Sequence, residues 1–348
     1  MAQKPEAVAS LQILKSNIKQ KETARLYFFY GEETFLMHHY LQQLKKILVD
    51  DLTESFNFHK FTSENFELQS FAAAVENLPM MAEHTMIVVD EVNFFKFNDS
   101  DREKMTDILS DIPEYCTVVF YYETGEWKPD KRYKKLYDAI TQTGLMVEFA
   151  KQDQRDLVAW ITRHFAAQKK RISPDLCVYL IDITGGTMTA LSGEISKICA
   201  YSGAEEIVKS DIDAVTEPVI DAVVFQMTDM LGKGMTGPAL TKLRDLLKMQ
   251  EEPLLILGAI GSHFRKMAAA KTLSDNGGRY TDLMKMYRMS DYGAKKTMDA
   301  SRKFSERFYK LAAELILETD YQIKTSFDSA ERLLELLILR LSMEAKSG

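Results

Sequence analysis

Five short apolar runs punctuate residues 25–151, and none recurs after residue 152. They are RLYFFYG (25–31), FNFHKFT (56–62), TMIVVDEV (85–92), CTVVFYYE (116–123) and GLMVEFAK (144–151). Each is short for a helix, and TMIVVDEV is rich in β-branched residues, so all five read as strands. FNFHKFT alternates apolar and polar residues, as a half-buried strand does. Between the runs lie stretches with helical spacing at 35–50, 68–79, 99–112 and 133–140. In the first of these Leu36, Tyr40, Leu41, Leu44, Ile47 and Leu48 follow a three-and-four rhythm. Strands joined by helices lie parallel, and a parallel sheet is stable only with helices on both faces. The expected fold class for this part is α/β.

From residue 152 the periodicity is helical. Segments 153–170, 174–185 and 187–203 read as three helices, broken by Ser173-Pro174 and Gly185-Gly186. A polar stretch then runs to Pro218, and beyond it helices are expected at 219–233, 237–249, 253–273, 281–289, 291–303, 305–323 and 328–344. The expected domains are therefore 1–151 (α/β), 152–217 (three helices) and 218–348 (all-α). A chain of 348 residues has room for three such cores.

The composition narrows the function classes. No run of 18 or more uncharged apolar residues is present, which argues against a membrane span. Residues 1–20 carry charge throughout and lack the apolar region of a secretory signal. Cys116, Cys177 and Cys199 are far apart and odd in number, which suits buried thiols in a reducing cytoplasm. His38 and His39 are adjacent, a poor spacing for sharing a metal on a helix, so no metal site is expected. The formal charge of −7 argues against a free-standing DNA binder, which needs positive surface to release counterions from phosphate.

The junction at 26–40, LYFFYGEETFLMHHY, has the strand–loop–helix outline in which nucleotide-binding proteins hold phosphate. Counted from Gly31, the phosphate-loop pattern needs Gly, Lys and Ser or Thr where Leu36, Met37 and His38 stand. The backbone curl, the phosphate-neutralising cation and the magnesium hydroxyl are all missing, and Glu32 and Glu33 add charge of the wrong sign. The loop is a degenerate phosphate loop. MIVVDE (86–91) ends in Asp90 and Glu91 and looks like a magnesium-holding strand, although acids after buried strands are common.

FYGEETFL at 29–36 resembles the start of the delta subunit of the bacterial DNA polymerase III clamp loader, where an apolar strand meets a Gly-Glu-Glu turn and a helix opening on an apolar pair. NLPMMAEHTMIVV (77–89) is similar to that family's link into its third strand. TALSGEISK (189–197) is similar to a lid helix of the pattern leucine, glutamate, lysine at three-residue steps. LLILGAIGSHFR (254–265) and DYQIKT (320–325) are similar to collar signatures, with Arg265 and Lys324 on matching positions. The order and spacing of these matches make the resemblance specific.

The resemblance implies an AAA+-like sheet without a working nucleotide site, a helical lid and an all-α C-terminal collar used for oligomerisation. It implies a cytoplasmic, non-membrane subunit of a DNA replication complex grouped with DNA-directed DNA polymerase. Such a subunit binds and opens the sliding clamp (the beta subunit) for loading onto primed DNA, without hydrolysing ATP itself. Its other partners are gamma/tau and delta prime in a hetero-pentamer; it has no cofactor and no catalytic residue. The rival readings are an active AAA+ ATPase using Asp90 and Glu91, and a stand-alone DNA-binding protein.

The resemblance also assigns sites. Leu78, Pro79, Met80 and Met81 stand where the family presents an exposed apolar pair to a pocket of the clamp; family members more often carry Leu or Phe. The alternative is that one methionine packs under the loop. Apart from the resemblance, WKPDKRYKKLYD (127–138) carries Lys131 and Arg132 among further cations, either a contact for DNA phosphate or an acidic partner, or a solvated face. Tyr321 either packs within the collar or offers its ring to a terminal base pair, with Lys324 on the same helical face. Helices 253–273 and 328–344 are apolar on more than one face, and Gly258 and Gly261 are expected to allow close helix approach. Met284, Met286 and Met289 are expected in the core.

Overall fold

The computed structural model describes residues 5–123, 127–287, 289 and 291–347, which divide into two compact units, 2–152 and 153–348. In the first unit the order is α1 (Pro5–Gln20), β1 (Leu26–Gly31), α2 (Thr34–Leu48), α3 (Glu54–Asn57), β2 (Phe58–Thr62), α4 (Leu68–Glu76), β3 (Thr85–Asp90), α5 (Asp99–Ser110), β4 (Cys116–Tyr122), α6 (Lys134–Thr143) and β5 (Gly144–Phe149). The five strands form one all-parallel sheet of order β2-β3-β4-β1-β5, the expected AAA+-like arrangement.

Alternation along β1 separates two cores. Leu26 and Phe28 face one side with Phe71, Phe94 and Phe120, and Tyr27 and Phe29 face the other with Met37 and Leu44. All four β1 side chains are fully buried, which is why this strand reads as a continuous apolar run. Phe28 stacks on Phe120 at 5.1 Å and on Trp127 at 4.8 Å. Truncating such a ring to alanine costs about 3–5 kcal/mol.

Two local expectations are corrected. Residues 56 and 57 are not strand: Thr53 opens the short helix α3, and β2 begins at Phe58. Lys45 fixes this helix by pairing with Glu54 at 2.6 Å and by lying 4.2 Å above the Phe58 ring. The strand after Val89 stops at Asp90, because Glu91 turns to φ +56°. Beyond the expected elements, α1 lays Leu14 into the core beneath Tyr27 and Phe29, with Leu11 and Ile18 packed alongside.

The second unit is helical: α7 (Gln154–Ala167), α8 (Pro174–Thr184), α9 (Met188–Tyr201), α10 (Lys209–Val215), α11 (Ile220–Gly232), α12 (Thr236–Lys248), α13 (Pro253–Asp275), α14 (Tyr280–Tyr287), α15 (Asp291–Ser301), α16 (Glu306–Thr325) and α17 (Ala330–Ser347). Ser173 caps α8 with Pro174 behind it, and Gly185 ends α8 at φ +78°. The span 152–217 therefore holds four described helices rather than three; α10 was read as a polar stretch because only Ile212 of its seven residues is buried. Asp182 of α8 pairs with Lys296 of α15 at 2.8 Å, and the Val219 N–H donates to the Ile183 carbonyl at 2.8 Å, so 152–217 and 218–348 lie within one unit.

The core of 218–348 joins α11, α12, α13, α16 and α17 through Val224, Leu243, Ile260, Phe264, Phe308 and Leu341. A Cβ on Gly261 would meet Ile316 of α16 at 3.4 Å, as expected for close approach, whereas one on Gly258 would meet nothing within 4 Å. Met286 is exposed, correcting its core assignment, while Met284 and Met289 pack against Leu283 and Met298. Among the described residues no single helix is long and apolar enough to cross a membrane.

Candidate functional site

The degenerate phosphate loop leaves β1 at the carboxyl end of the sheet. Gly31 has φ +131°, and a Cβ there would lie 2.3 Å from the Phe149 carbonyl oxygen, so this position accepts only glycine. The Glu33 N–H donates to that carbonyl at 2.9 Å, tying the loop to the end of β5. Glu33 is buried, and burial pushes its carboxyl up against the opposing pull of the Phe35 N–H and of Lys151. This N–H, which a phosphate cradle would point at its ligand, is engaged by the protein itself.

Crossovers leave β1 and β4 toward opposite faces, which makes the crevice between their carboxyl ends the place where α/β sheets hold ligands. Here the protein's own side chains pair across it. His38 Nε2 of α2 lies 2.8 Å from Glu123 Oε1 just after β4, a pair that spans the carboxyl ends of β1 and β4. Glu91 accepts the Glu123 N–H, and Asp90 meets Lys60 at 3.7 Å. Burial and the neighbouring carboxylates push the Tyr121 hydroxyl well up, so it stays a donor. The two acids that look like a magnesium-holding pair thus serve the sheet. Asp90, Glu91 and Glu123 gather negative charge around Tyr121 at the carboxyl end of the sheet. No group of His, Cys, Asp and Glu suited to a metal occurs among the described residues.

At the opposite, amino end of the sheet the link from α4 to β3 projects Leu78, Met80 and Met81, which are 74%, 54% and 94% exposed, while Pro79 is half-buried. Neither methionine packs under the loop. The loop is nevertheless fixed. Tyr115 donates its hydroxyl to the Glu76 carbonyl at 2.8 Å and accepts the Thr85 N–H on its own carbonyl at 2.8 Å, fastening both ends. Between them the fully buried Asn57 side chain donates to the Met80 carbonyl at 2.9 Å and accepts the Met80 N–H at 2.8 Å. The alternation of FNFHKFT hides Asn57 within an expected strand at 56–62; Thr53-Glu54, a helix-opening pair after a polar turn, is the signal that marks α3.

The cations at 127–138 all stand in solvent; Arg132 grips Asp130 with Nε at 3.0 Å and Nη2 at 2.6 Å, and Lys131 lies 6.0 Å from the Tyr137 ring. In the second unit Tyr321 of α16 is 68% exposed, so its ring is not part of the helical core. Lys324, three residues on, pairs with Asp320 at 2.8 Å. Arg265 is exposed on α13. On α9, Leu191 is buried while Glu194 and Lys197 pair at 2.8 Å, so the leucine–glutamate–lysine pattern is one core residue and one ion pair.

Comparison with known proteins bears on this arrangement. Residues 27–150 match the family "DNA polymerase III, delta subunit", and residues 221–341 match "DNA polymerase III delta subunit, C-terminal domain". The chain is 26% identical over 331 residues to DNA polymerase III subunit delta of Bacillus subtilis (strain 168), covering 93% of this chain and 95% of that one. It is 21% identical over 276 residues to the probable DNA polymerase III subunit delta of Aquifex aeolicus (strain VF5), covering 76% of each. In fold it is similar to the solved Bacillus subtilis DNA clamp loader delta protein (YqeN), with a TM-score of 0.69 at 24% identity over 96% of this chain and 99% of that one. With family matches over both the sheet and the C-terminal helices, the chain belongs to the DNA polymerase III delta subunit family.

Proposed function

We propose that this chain is the clamp-loader subunit that binds and opens the ring-shaped sliding clamp during replication, without binding or hydrolysing ATP. The single observation that carries this reading is the loop at 77–84, which holds two methionines and a leucine in solvent on a backbone fastened at three points. Flexible methionine side chains on a fixed backbone fill an irregular apolar pocket with little backbone entropy lost on binding. Opening a ring requires tighter binding to the open form than to the closed one, and each 1.4 kcal/mol of difference shifts that equilibrium about tenfold. A fixed loop converts contact into such a difference because it does not yield to the closed geometry.

The pairing of His38, Glu91, Asp90 and Glu123 with the protein's own groups at the carboxyl end of the sheet supports the absence of nucleotide chemistry and speaks against the ATPase reading. In this proposal residues 152–217 form the lid and 218–348 the collar. Exposed Leu254, Leu255, Leu336, Leu339 and Met343 give the collar apolar surface for gamma/tau and delta prime subunits in a cytoplasmic hetero-pentamer. Tyr321 and Lys324 are the collar groups offered to primed DNA, and Lys131 and Arg132 are a second place where phosphate contact is possible. The direct test is binding of the purified chain to its cognate sliding clamp without nucleotide, with ring opening followed by a fluorophore pair across the clamp interface. Binding and opening are expected without ATP, and an unbound or unopened ring refutes the proposal.

A further inference from the structure

We infer that Asn57 is a positioning residue for clamp binding, holding Met80 and Met81 in their docking geometry; this role rests on the proposed function. A buried primary amide is costly unless its nitrogen and its oxygen both find hydrogen-bond partners. Here the amide faces one residue: its nitrogen donates to the Met80 carbonyl at 2.9 Å and its oxygen accepts the Met80 N–H at 2.8 Å. The pairing is that of two strand residues, supplied by a side chain from 23 positions earlier. It fixes the Met80 main chain at both of its polar groups. The next residue, Met81, sits at φ +53°, a conformation that residues bearing a long side chain rarely adopt. Such a conformation persists only where its surroundings impose it, and the locked neighbour does so.

The consequence is directional. With Met80 anchored and Met81 in the left-handed region, both side chains leave the loop toward solvent instead of folding back onto it. Asn57 itself is held, since α3 is pinned to α2 by the Lys45–Glu54 pair and by Lys45 over the Phe58 ring. Without the amide the loop keeps its sequence and loses its fixed shape, so the main chain that carries the two methionines must be ordered at the moment of binding.

The test compares the full chain with Asn57→Ala and Asn57→Asp. Clamp affinity is measured at a temperature where circular dichroism shows each variant fully folded, and amide exchange is followed across residues 78–82. Asn57→Ala is expected to speed exchange in that segment and to weaken clamp binding about tenfold or more, the main chain at Met80 and Met81 then being ordered on binding instead of beforehand. Asn57→Asp accepts from the Met80 N–H but, when ionised, sets a buried carboxylate against the Met80 carbonyl. It is therefore expected to weaken binding at neutral pH and to recover as acid protonates it into a donor for that carbonyl, and it decides the question if Asn57→Ala does not fold. A purely structural asparagine leaves the affinity of the folded variant unchanged, and that result overturns this role while leaving the proposed function intact. Failure of the unaltered chain to bind the clamp overturns both.

Discussion

Replacing Met80 and Met81 together by alanine is the sharpest perturbation of the proposed docking loop. Their exposures of 54% and 94% leave about one and a half methionine side chains of surface to be covered by a partner. Full burial of one such side chain is worth about 1.5–3 kcal/mol, so docking gains about 2–4 kcal/mol from the pair. Ordering two flexible side chains returns roughly 1–2 kcal/mol of this in the wild type, a cost that alanine does not incur. The double substitution therefore weakens clamp binding by about 2 kcal/mol, close to thirtyfold. Stability is expected to stay within about 0.5 kcal/mol, because neither side chain has core neighbours to lose and alanine keeps the Asn57 bonds to the main chain. Equilibrium titration of the chain against immobilised cognate clamp reads the first quantity, and thermal melting reads the second. A folded double variant that binds with unchanged affinity refutes the assignment of this loop.

Mg-ATP is expected to leave the melting temperature unmoved, since the loop N–H of Glu33 is already engaged and His38 already pairs with Glu123; a rise of several degrees at saturating nucleotide refutes that reading. Tyr321→Ala is expected to leave the fold and clamp opening intact, because the ring is exposed, while lowering the affinity of the assembled loader for primed DNA by about 1–3 kcal/mol; unchanged DNA binding in a filter or anisotropy assay shows that the ring is idle. Stability is expected to fall with acid through His263 on α13, whose enclosed Nε2 has no partner among the described residues and whose ring packs 5.4 Å from Phe225. Burial, helped by Lys266 and Lys296, lowers this imidazole from 6.5 to about 4. The unfolded chain thus takes up the proton first, so the contribution is whole above pH 6.5 and is lost between there and about pH 4, by at most about 3 kcal/mol. Denaturant titrations of the wild type and His263→Leu across that range check it, and parallel curves refute it.

The sequence by itself determined the alternation of strands and helices, because period and run length are local properties and a doubly covered strand must be apolar on both faces. It also determined the failure of the phosphate loop at Gly31, since a missing lysine and a missing hydroxyl are plain in the chain. It carried the family resemblance too, in short motifs whose order survives wide divergence elsewhere. The tertiary structure alone decided which residues meet. His38 closes on Glu123 across 85 positions because β4 lies beside β1, and Asn57 reaches Met80 because β2 lies beside β3. Gly258 and Gly261 look alike in sequence, yet only Gly261 faces another helix, and Met286 shares the composition of its core neighbours while turning to solvent. The same holds for α3 and α10, too short and too polar to show a period, which owe their form to a pinned lysine and a buried isoleucine. Local patterning records what a segment prefers; pairing between distant segments is set only when the sheet and the helices pack, and the crevice and the docking loop both depend on such pairs.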